Sequence, residues 1–151
     1  MLTAVLDSFW GYDYRLLDEA GVCQGRIKIN LMHESGSVLV GQTALEIKRD
    51  GMIGPWHARA NGKVVATIIK PSIVSREFRF KANSREYRLQ PRTLSASFDL
   101  FVEDECIGSL EIGWFFRRKM AVNLPDDLPL IVRSIAAWIV ILMLRRHSQS
   151  G

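Results

Sequence analysis

Leu124-Pro-Asp-Asp-Leu-Pro129 leads into Leu130-Ile-Val-Arg-Ser-Ile-Ala-Ala-Trp-Ile-Val-Ile-Leu-Met-Leu144, which is closed by Arg145-Arg146-His147. Apolar residues occupy every face of this helical segment, whereas an ordinary surface helix carries only an apolar stripe. The segment must therefore lie inside a protein core or inside a bilayer.

The flanking residues predict one helix from Leu128 to Arg146. Asp126 and Asp127 stand where carboxylates cap free amides and meet the positive end of the helix dipole. Pro129 suits the first turn, whose amides have no partner within the helix. The basic run Arg145-Arg146-His147 complements the C-terminal carbonyls. The helix thus has a predicted beginning and a predicted end.

As a membrane span this helix is short. The seventeen residues from Leu128 to Leu144 reach only the lower end of the usual range, about 17 to 25. Arg133 would cost about 2.5 to 3.5 kcal/mol at a helix centre, although it lies near one end and could extend its charge to the interface. A buried core helix is the preferred interpretation, and a single-pass C-terminal anchor is the alternative.

Upstream of the helix, apolar and polar residues alternate with a period of two in short runs, which is typical of half-buried β-strands. We expect about 10 to 12 strands. The residues predicted to face inward are Ile27, Ile29 and Leu31; Phe78 and Phe80, with Arg79 and Lys81 opposite; Ala96, Phe98, Leu100 and Val102; and Met120, Val122 and Leu124. An antiparallel sheet closed around the helix would bury both sets of apolar surface.

Turn residues separate these runs. Asn61-Gly62 is the clearest hairpin signal, because both residues tolerate the left-handed backbone of a type I′ turn. The other predicted turns are Glu19-Ala-Gly21, Glu34-Ser-Gly36, Arg49-Asp-Gly51, Asn83-Ser84 and Glu103-Asp-Glu105. No linker and no strict internal repeat is evident, so residues 1–151 are predicted to form a single, mainly β domain: a closed antiparallel barrel threaded by its C-terminal helix.

Composition agrees with a folded domain. The chain has 151 residues, of which 48% are hydrophobic and 24% charged, with a net charge of +4. Cys23 and Cys106 lie far apart without nearby histidines, so we expect two buried free thiols, no metal and no cofactor. The N-terminus lacks a basic region, and Asp7 interrupts its apolar run, so a cytoplasmic location is expected.

The chain resembles a known superfamily in several places. The Leu124-to-Pro129 step leads into a helix with a basic residue at Arg133 and Leu142-Met143 near its end. Weaker matches are Asp18-Glu-Ala-Gly21 after Tyr14-Arg-Leu-Leu17, and Gly108-Ser-Leu-Glu-Ile112 before Phe115-Phe116. From about Tyr12 to Arg146 the sequence is similar to the phospholipid scramblase and LURP-one-related families, which share the tubby-like fold. The resemblance implies a closed barrel with a central C-terminal helix.

The resemblance also implies a membrane-related function, since tubby domains bind phosphoinositides through basic residues on the barrel. Scramblases are linked to membranes through calcium, palmitoylated cysteines and a proline-rich N-terminal extension, and this sequence has none of these features. The stretch Arg117-Arg-Lys-Met-Ala-Val-Asn123 is basic where a calcium loop would need several oxygen ligands. A lipid-binding or scaffold module is therefore expected, and calcium-driven lipid transport is not.

Basic residues supply the candidate lipid-binding sites. Six of them lie on two neighbouring strands joined at Asn83-Ser84: Arg76, Arg79, Lys81, Arg85, Arg88 and Arg92. A second run, Arg117-Arg118-Lys119, follows Trp114-Phe115-Phe116, as at a membrane interface. Such patches suit anionic phospholipid or phosphoinositide headgroups. The simpler alternative is a solvated outer strand face and core aromatics.

Other functions find little support in the sequence. No nucleotide-binding, nucleophile-elbow or metalloprotease motif is present, so no catalytic residue is predicted and we expect a non-enzymatic protein. Nucleic acid is a poor candidate partner, because no recognised binding motif accompanies the basic residues. We expect a monomer at the cytoplasmic membrane surface, with a structural or protein-interaction barrel as a further alternative.

Overall fold

A computed structural model describes residues 1–7, 13–71, 76–93, 96–113 and 119–149, with side chains described up to Arg146. Within these ranges the chain forms twelve strands and one helix. The elements are β1 (Leu2–Leu6), β2 (Asp13–Leu17), β3 (Cys23–Asn30), β4 (Ser35–Val40), β5 (Thr43–Arg49), β6 (Trp56–Ala60), β7 (Lys63–Ile69), β8 (Phe78–Ala82), β9 (Arg85–Pro91), β10 (Ser97–Val102), β11 (Glu105–Ile112), β12 (Lys119–Asn123) and α1 (Leu130–Gln149).

The strands form a closed antiparallel barrel. Each strand pairs with its neighbours in the sequence, and β12 pairs with β1 to complete the ring. Nine of the residues predicted to face inward are buried: Ile27, Ile29, Phe78, Phe80, Phe98, Leu100, Met120, Val122 and Leu124. Leu31 and Val102 are partly buried against the core, while Ala96 is exposed because it precedes β10. The predicted mainly β fold is therefore confirmed.

Helix α1 fills the barrel. Every side chain from Ile135 to Ile141 is at most 1% exposed, so no face of this stretch meets water. In a ring of twelve strands, such a helix can only occupy the interior, as predicted. Among the described residues, no helix combines the length and hydropathy needed to span a bilayer.

The ends of the helix differ from the prediction. It begins at Leu130 and continues to Gln149, and its first turn contains no acidic residue. The Leu128 amide donates to the Pro125 carbonyl at 3.1 Å, which forms a separate turn before the helix. Asp126 instead contacts the N-terminal ammonium group at 3.0 Å. The predicted capping by Asp126 and Asp127 is therefore wrong, because this intervening turn separates them from the helix.

The tight hairpins have the backbone that their residues favour. Asn61 and Gly62 have φ of 53° and 78°, as the predicted type I′ turn requires. Asn83 and Ser84 adopt φ of 51° and 61° between β8 and β9. The predicted turn at Glu34-Ser-Gly36 is only partly correct, since Ser35 and Gly36 already belong to β4.

Three hairpins of the barrel share one irregularity. In β2–β3, Leu16 pairs with Gly25 but Leu17 pairs with Cys23, so one extra residue bulges from the second strand. The same shift occurs in β6–β7 and in β10–β11. The bulged residues are Gln24, Val65 and Ile107.

The same three hairpins also repeat along the sequence. On the first strand of each hairpin, which is β2, β6 or β10, the inward-facing positions recur every 42 residues. One set is Tyr14, Trp56 and Phe98, and the other is Leu16, Ala58 and Leu100.

The barrel therefore contains a threefold structural repeat, although the three units differ in sequence. The β4–β5 and β8–β9 hairpins also turn at positions 42 residues apart, at 41–42 and 83–84. A third turn at the same spacing would join β12 to β1. There the chain instead leaves the sheet after β12 and enters the helix, and β12 pairs with β1 without a connecting turn. The absence of a strict sequence repeat follows because the barrel interior demands apolar side chains of suitable size, not particular residues.

Both cysteines are exposed, so their predicted burial is wrong. Each lies just before the bulge of its hairpin, where the inward and outward alternation is interrupted. Their thiols point along the strand to carbonyls two residues ahead, with Cys23 Sγ 3.3 Å from Gly25 and Cys106 Sγ 3.6 Å from Gly108.

Candidate functional site

The two ends of the barrel have different chemistry. Because the strands alternate in direction, the turns at 18–22, 41–42, 61–62, 83–84 and 103–104 lie at one end, which we term the turn end. The β3–β4 turn at 31–34 and the β5–β6 loop at 50–55 lie at the other end. The C-terminus of α1 reaches that second end, where Arg145 Nε donates to the Tyr14 hydroxyl at 3.0 Å. We term it the helix-exit end.

A charged cluster built from distant segments lies at the helix-exit end. Glu34 forms ion pairs with Arg49 at the end of β5 and with Arg146 near the end of α1. The Arg49 guanidinium lies 4.1 Å above the Trp56 ring, and its Nε donates to the Gly54 carbonyl at 3.0 Å. Trp56 Nε1 in turn donates to the Glu34 carbonyl at 2.8 Å. These contacts connect the helix end, the β3–β4 turn and the β5–β6 loop.

Two further cations complete what we term the rim cluster: Glu34, Arg49, Lys70, Arg76 and Arg146. Burial lowers the pKa of Lys70, and the charges of Arg146 and Arg49 lower it further. Arg76 acts in the same direction, whereas Glu34 opposes it. Lys70 Nζ also lies 5.9 Å from the centre of the Phe78 ring. The cluster combines four cations with one carboxylate and therefore carries a net positive charge.

Glu34 remains ionised within this cluster. Burial would raise the pKa of Glu34, but the hydrogen bonds and charges of Arg146 and Arg49 outweigh burial and hold that pKa below its ordinary value. Its side chain is 27% exposed, so these ion pairs are only partly screened by solvent. The carboxylate thus stabilises two guanidinium groups that would otherwise repel each other.

Replacing Glu34 with glutamine should lower the free energy of unfolding by about 1 to 3 kcal/mol, because both guanidinium groups lose their counter-charge. A carboxyl whose pKa is lowered by folding stabilises the protein above its unfolded pKa, about 4.3, and loses this effect as the pH falls through its folded pKa. Urea unfolding at several acidic pH values should show the difference from wild type shrinking toward low pH.

The exposed pair between Glu46 and Lys48 offers a matched control, since both side chains are more than half exposed. Glu46→Gln should change stability by less than about 1 kcal/mol at every pH. A Glu34→Gln effect that stays constant through the acidic range would contradict the assigned ion pairs.

The charges of the lipid-binding face that the sequence predicted on β8 and β9 are largely neutralised. Arg79 on β8 lies directly opposite Arg88 on β9, as the hairpin prediction requires. Glu77 lies near both, 3.3 Å from Arg88 and 3.8 Å from Arg79. Arg88 also donates to the Glu103 carbonyl at 2.8 Å and lies 5.2 Å from the centre of the Phe101 ring. Neither arginine is a free ligand for a headgroup.

Of the other predicted residues, Arg92 and Arg76 lie apart from this face. Arg92 belongs to a separate network, with 2.8 Å to Asp99 and 3.0 Å to Glu111, and these carboxylates raise the pKa of Arg92. Lys81 and Arg85 are exposed and have no ion-pair partner among the described residues. Arg76 is near enough to Lys70 to lower its pKa and is therefore grouped with the rim cluster. The six residues therefore do not form one patch.

A surface groove of about 560 Å³ lies beside this face at the turn end. Arg79, Arg85 and Arg88 line one part of it, and acidic residues line the rest: Glu86, Glu103 and Asp104. Its mixed charge offers no preference for an anion. Of the second predicted run, Arg117 and Arg118 lie outside the described residues, as does Trp114-Phe115-Phe116, while Lys119 is exposed at the start of β12.

Of the rim cluster, only Arg76 was among the binding residues predicted from the sequence. Arg146 was assigned to the helix dipole and Glu34 to a turn, and nothing in their spacing links positions 34, 49, 70, 76 and 146. Only closure of the barrel around the helix brings these residues together. Within the described residues, no group of three or more acidic, histidine or cysteine side chains is placed to hold a metal ion.

Fold and site together define a closed antiparallel β-barrel with a buried central helix and a basic cluster at one end. Comparison with protein-family models, curated proteins and solved structures found no match.

Proposed function

We propose that this protein is a non-enzymatic module that binds anionic phospholipid headgroups, and that it contacts the membrane surface with its helix-exit end. The observation that carries the proposal is the rim cluster, in which Arg49 of β5 and Arg146 of the helix both pair with Glu34. Lys70 is near enough to interact with all three charges and with that of Arg76. Near an anionic leaflet each basic residue contributes about 1 kcal/mol.

The resemblance to tubby-like domains supports a phosphorylated headgroup as ligand, because that family binds phosphoinositides. The location differs from the one expected from the sequence. On the β8–β9 face Glu77 pairs with Arg79 and Arg88, and acidic residues share the groove with Arg85. Lys70 and Arg76 in the rim cluster have no described carboxylate within ion-pair distance. We therefore place the headgroup contacts at the end of the barrel rather than on its side, with the protein peripheral at the cytoplasmic leaflet.

Vesicle binding by a pair of double variants tests this proposal. Lys70→Gln with Arg76→Gln removes two cations from the helix-exit end and should weaken binding to phosphatidylserine-containing vesicles about 30-fold, measured by cosedimentation. Lys81→Gln with Arg85→Gln makes the same charge change at the turn end and should leave affinity within about twofold. Vesicles containing a phosphoinositide at matched surface charge distinguish headgroup recognition from simple attraction.

The possible outcomes are distinct. Equal losses of vesicle affinity in both double variants would show that binding depends only on the total charge of the protein, which would contradict an oriented site. Loss in the Lys81 and Arg85 variant alone would place the contact on the β8–β9 hairpin. If the wild-type protein binds none of these vesicles at low salt, the proposed function is wrong.

A further inference from the structure

Three large apolar side chains extend into solvent at the helix-exit end. Met32 is 90% exposed, Met52 91% and Ile53 83%. Other exposed apolar residues of the described chain are covered to about half, such as Leu39 at 42% and Val64 at 45%. Near-complete exposure of three large apolar side chains on neighbouring loops is unfavourable in water, so burial against another apolar phase would stabilise this surface.

These side chains occupy adjacent loops. Met32 lies in the β3–β4 turn, and Met52 and Ile53 lie in the β5–β6 loop. Since β4 and β5 pair side by side, both connections project from the same part of the barrel rim. The three side chains are therefore able to enter one surface together.

The loops are held in this arrangement by polar contacts at their bases. The Asp50 amide donates to the Pro55 carbonyl at 2.8 Å, and Arg49 Nε donates to Gly54 at 3.0 Å, so the β5–β6 loop is closed. In the β3–β4 turn, the His33 amide donates to the Asn30 side chain at 3.3 Å. A preformed loop loses little conformational freedom on binding, so its exposed tips can be buried at low cost.

Charge identifies the surface that would receive these tips. Glu34 and Arg49 of the rim cluster stand at the bases of the same two loops, with Arg146 beside them. Apolar tips flanked by cations match an anionic bilayer, whose headgroups carry negative charge outside an apolar interior. We infer that Met32, Met52 and Ile53 insert into the acyl region of an anionic leaflet while the rim cluster contacts the headgroups. This inference rests on the proposed function.

The exposed native cysteines allow a site-resolved test. Cys23 lies at the start of β3, at the turn end, on the order of 25 Å along the strand from the β3–β4 turn. An Ile53→Cys variant in a Cys23→Ser, Cys106→Ser background, labelled with the polarity-sensitive fluorophore NBD, should brighten and shift to the blue on phosphatidylserine vesicles. It should also be quenched by spin labels on the acyl chains.

The matched control carries the same fluorophore on Cys23 in a Cys106→Ser background. This label should stay in water when the protein binds, because the turn end faces away from the bilayer. A label at position 53 that stays in water on vesicles that demonstrably bind the protein would overturn the inference and leave the proposed function intact. Absence of vesicle binding by wild-type protein would instead overturn the proposed function.

A second measurement does not depend on labelling. The triple variant Met32→Ser, Met52→Ser, Ile53→Ser should bind anionic vesicles at least about tenfold more weakly, because its loops no longer transfer apolar surface. Its melting temperature should match that of the wild type, since these side chains contact water in the free protein. Unchanged vesicle affinity would overturn the inference.

Discussion

A chain that ends at Asp127 should fail to form a stable barrel. Helix α1 supplies the buried side chains at the centre of the molecule, including Trp138 and the whole stretch from Ile135 to Ile141. Twelve strands enclose a space too wide for their own inward side chains to fill, and an unfilled core loses both apolar burial and packing contacts. Thermal unfolding followed by circular dichroism should show no cooperative transition.

A chain that ends at Gln149 serves as the control, because it retains all of α1. It should unfold cooperatively at a temperature close to that of the full chain, with dispersed amide resonances. If the chain that ends at Asp127 unfolds as cooperatively as this control, the strands close without a central helix, and the role assigned here to α1 is incorrect.

The general architecture could be predicted from the sequence because its signals are local. Alternation over five or six residues identifies a strand, as at Phe78 and Phe80, and a helix apolar on every face requires burial on every face. Asn61-Gly62 specifies its own turn through backbone preference. These features depend on neighbours in the sequence, so one sequence suffices to read them.

Features that depend on distant segments were predicted less well. Asp126 suits a helix cap by position, yet it contacts the N-terminal ammonium group, 125 residues away. Gly36 is a residue typical of turns, but it lies in β4, where the Lys28 carbonyl of β3 and the Trp138 indole of the helix leave no room for a side chain. The rim cluster likewise depends on a helix that crosses the whole barrel. No periodicity encodes such encounters.

The closed barrel also limits how a partner could bind. The barrel wall has no free edge, since β12 pairs with β1, so a partner cannot add a strand. At the turn end, short hairpins and the ion pair between the N-terminus and Asp126 surround the start of the helix. At the helix-exit end, the β3–β4 turn and the β5–β6 loop carry Met32, Met52 and Ile53 away from the core. Under the proposed function, substitutions of these three residues should therefore change membrane binding without disturbing the fold.

Replacing Trp138 with alanine should lower the free energy of unfolding by about 3 to 5 kcal/mol. Its side chain is fully buried in the barrel, and its indole nitrogen donates to the Lys28 carbonyl at 3.2 Å. Trp138→Phe retains most of the apolar volume but loses this donor, and it should cost about 1 to 3 kcal/mol. Urea unfolding of the two variants measures both effects.

The fit between Trp138 and β4 can be isolated by a double-mutant cycle with Gly36. A Cβ added at Gly36 would meet both the Lys28 carbonyl and the indole nitrogen of Trp138, so Gly36→Ala should cost about 1 to 3 kcal/mol. In the Trp138→Phe background this cost should fall by about 1 kcal/mol or more, because the indole nitrogen is absent. Gly108→Ala, whose Cβ would meet Asn123 and Leu124 instead, should cost the same in both backgrounds. Additive effects of Gly36→Ala and Trp138→Phe would show that the indole does not determine the need for glycine in β4.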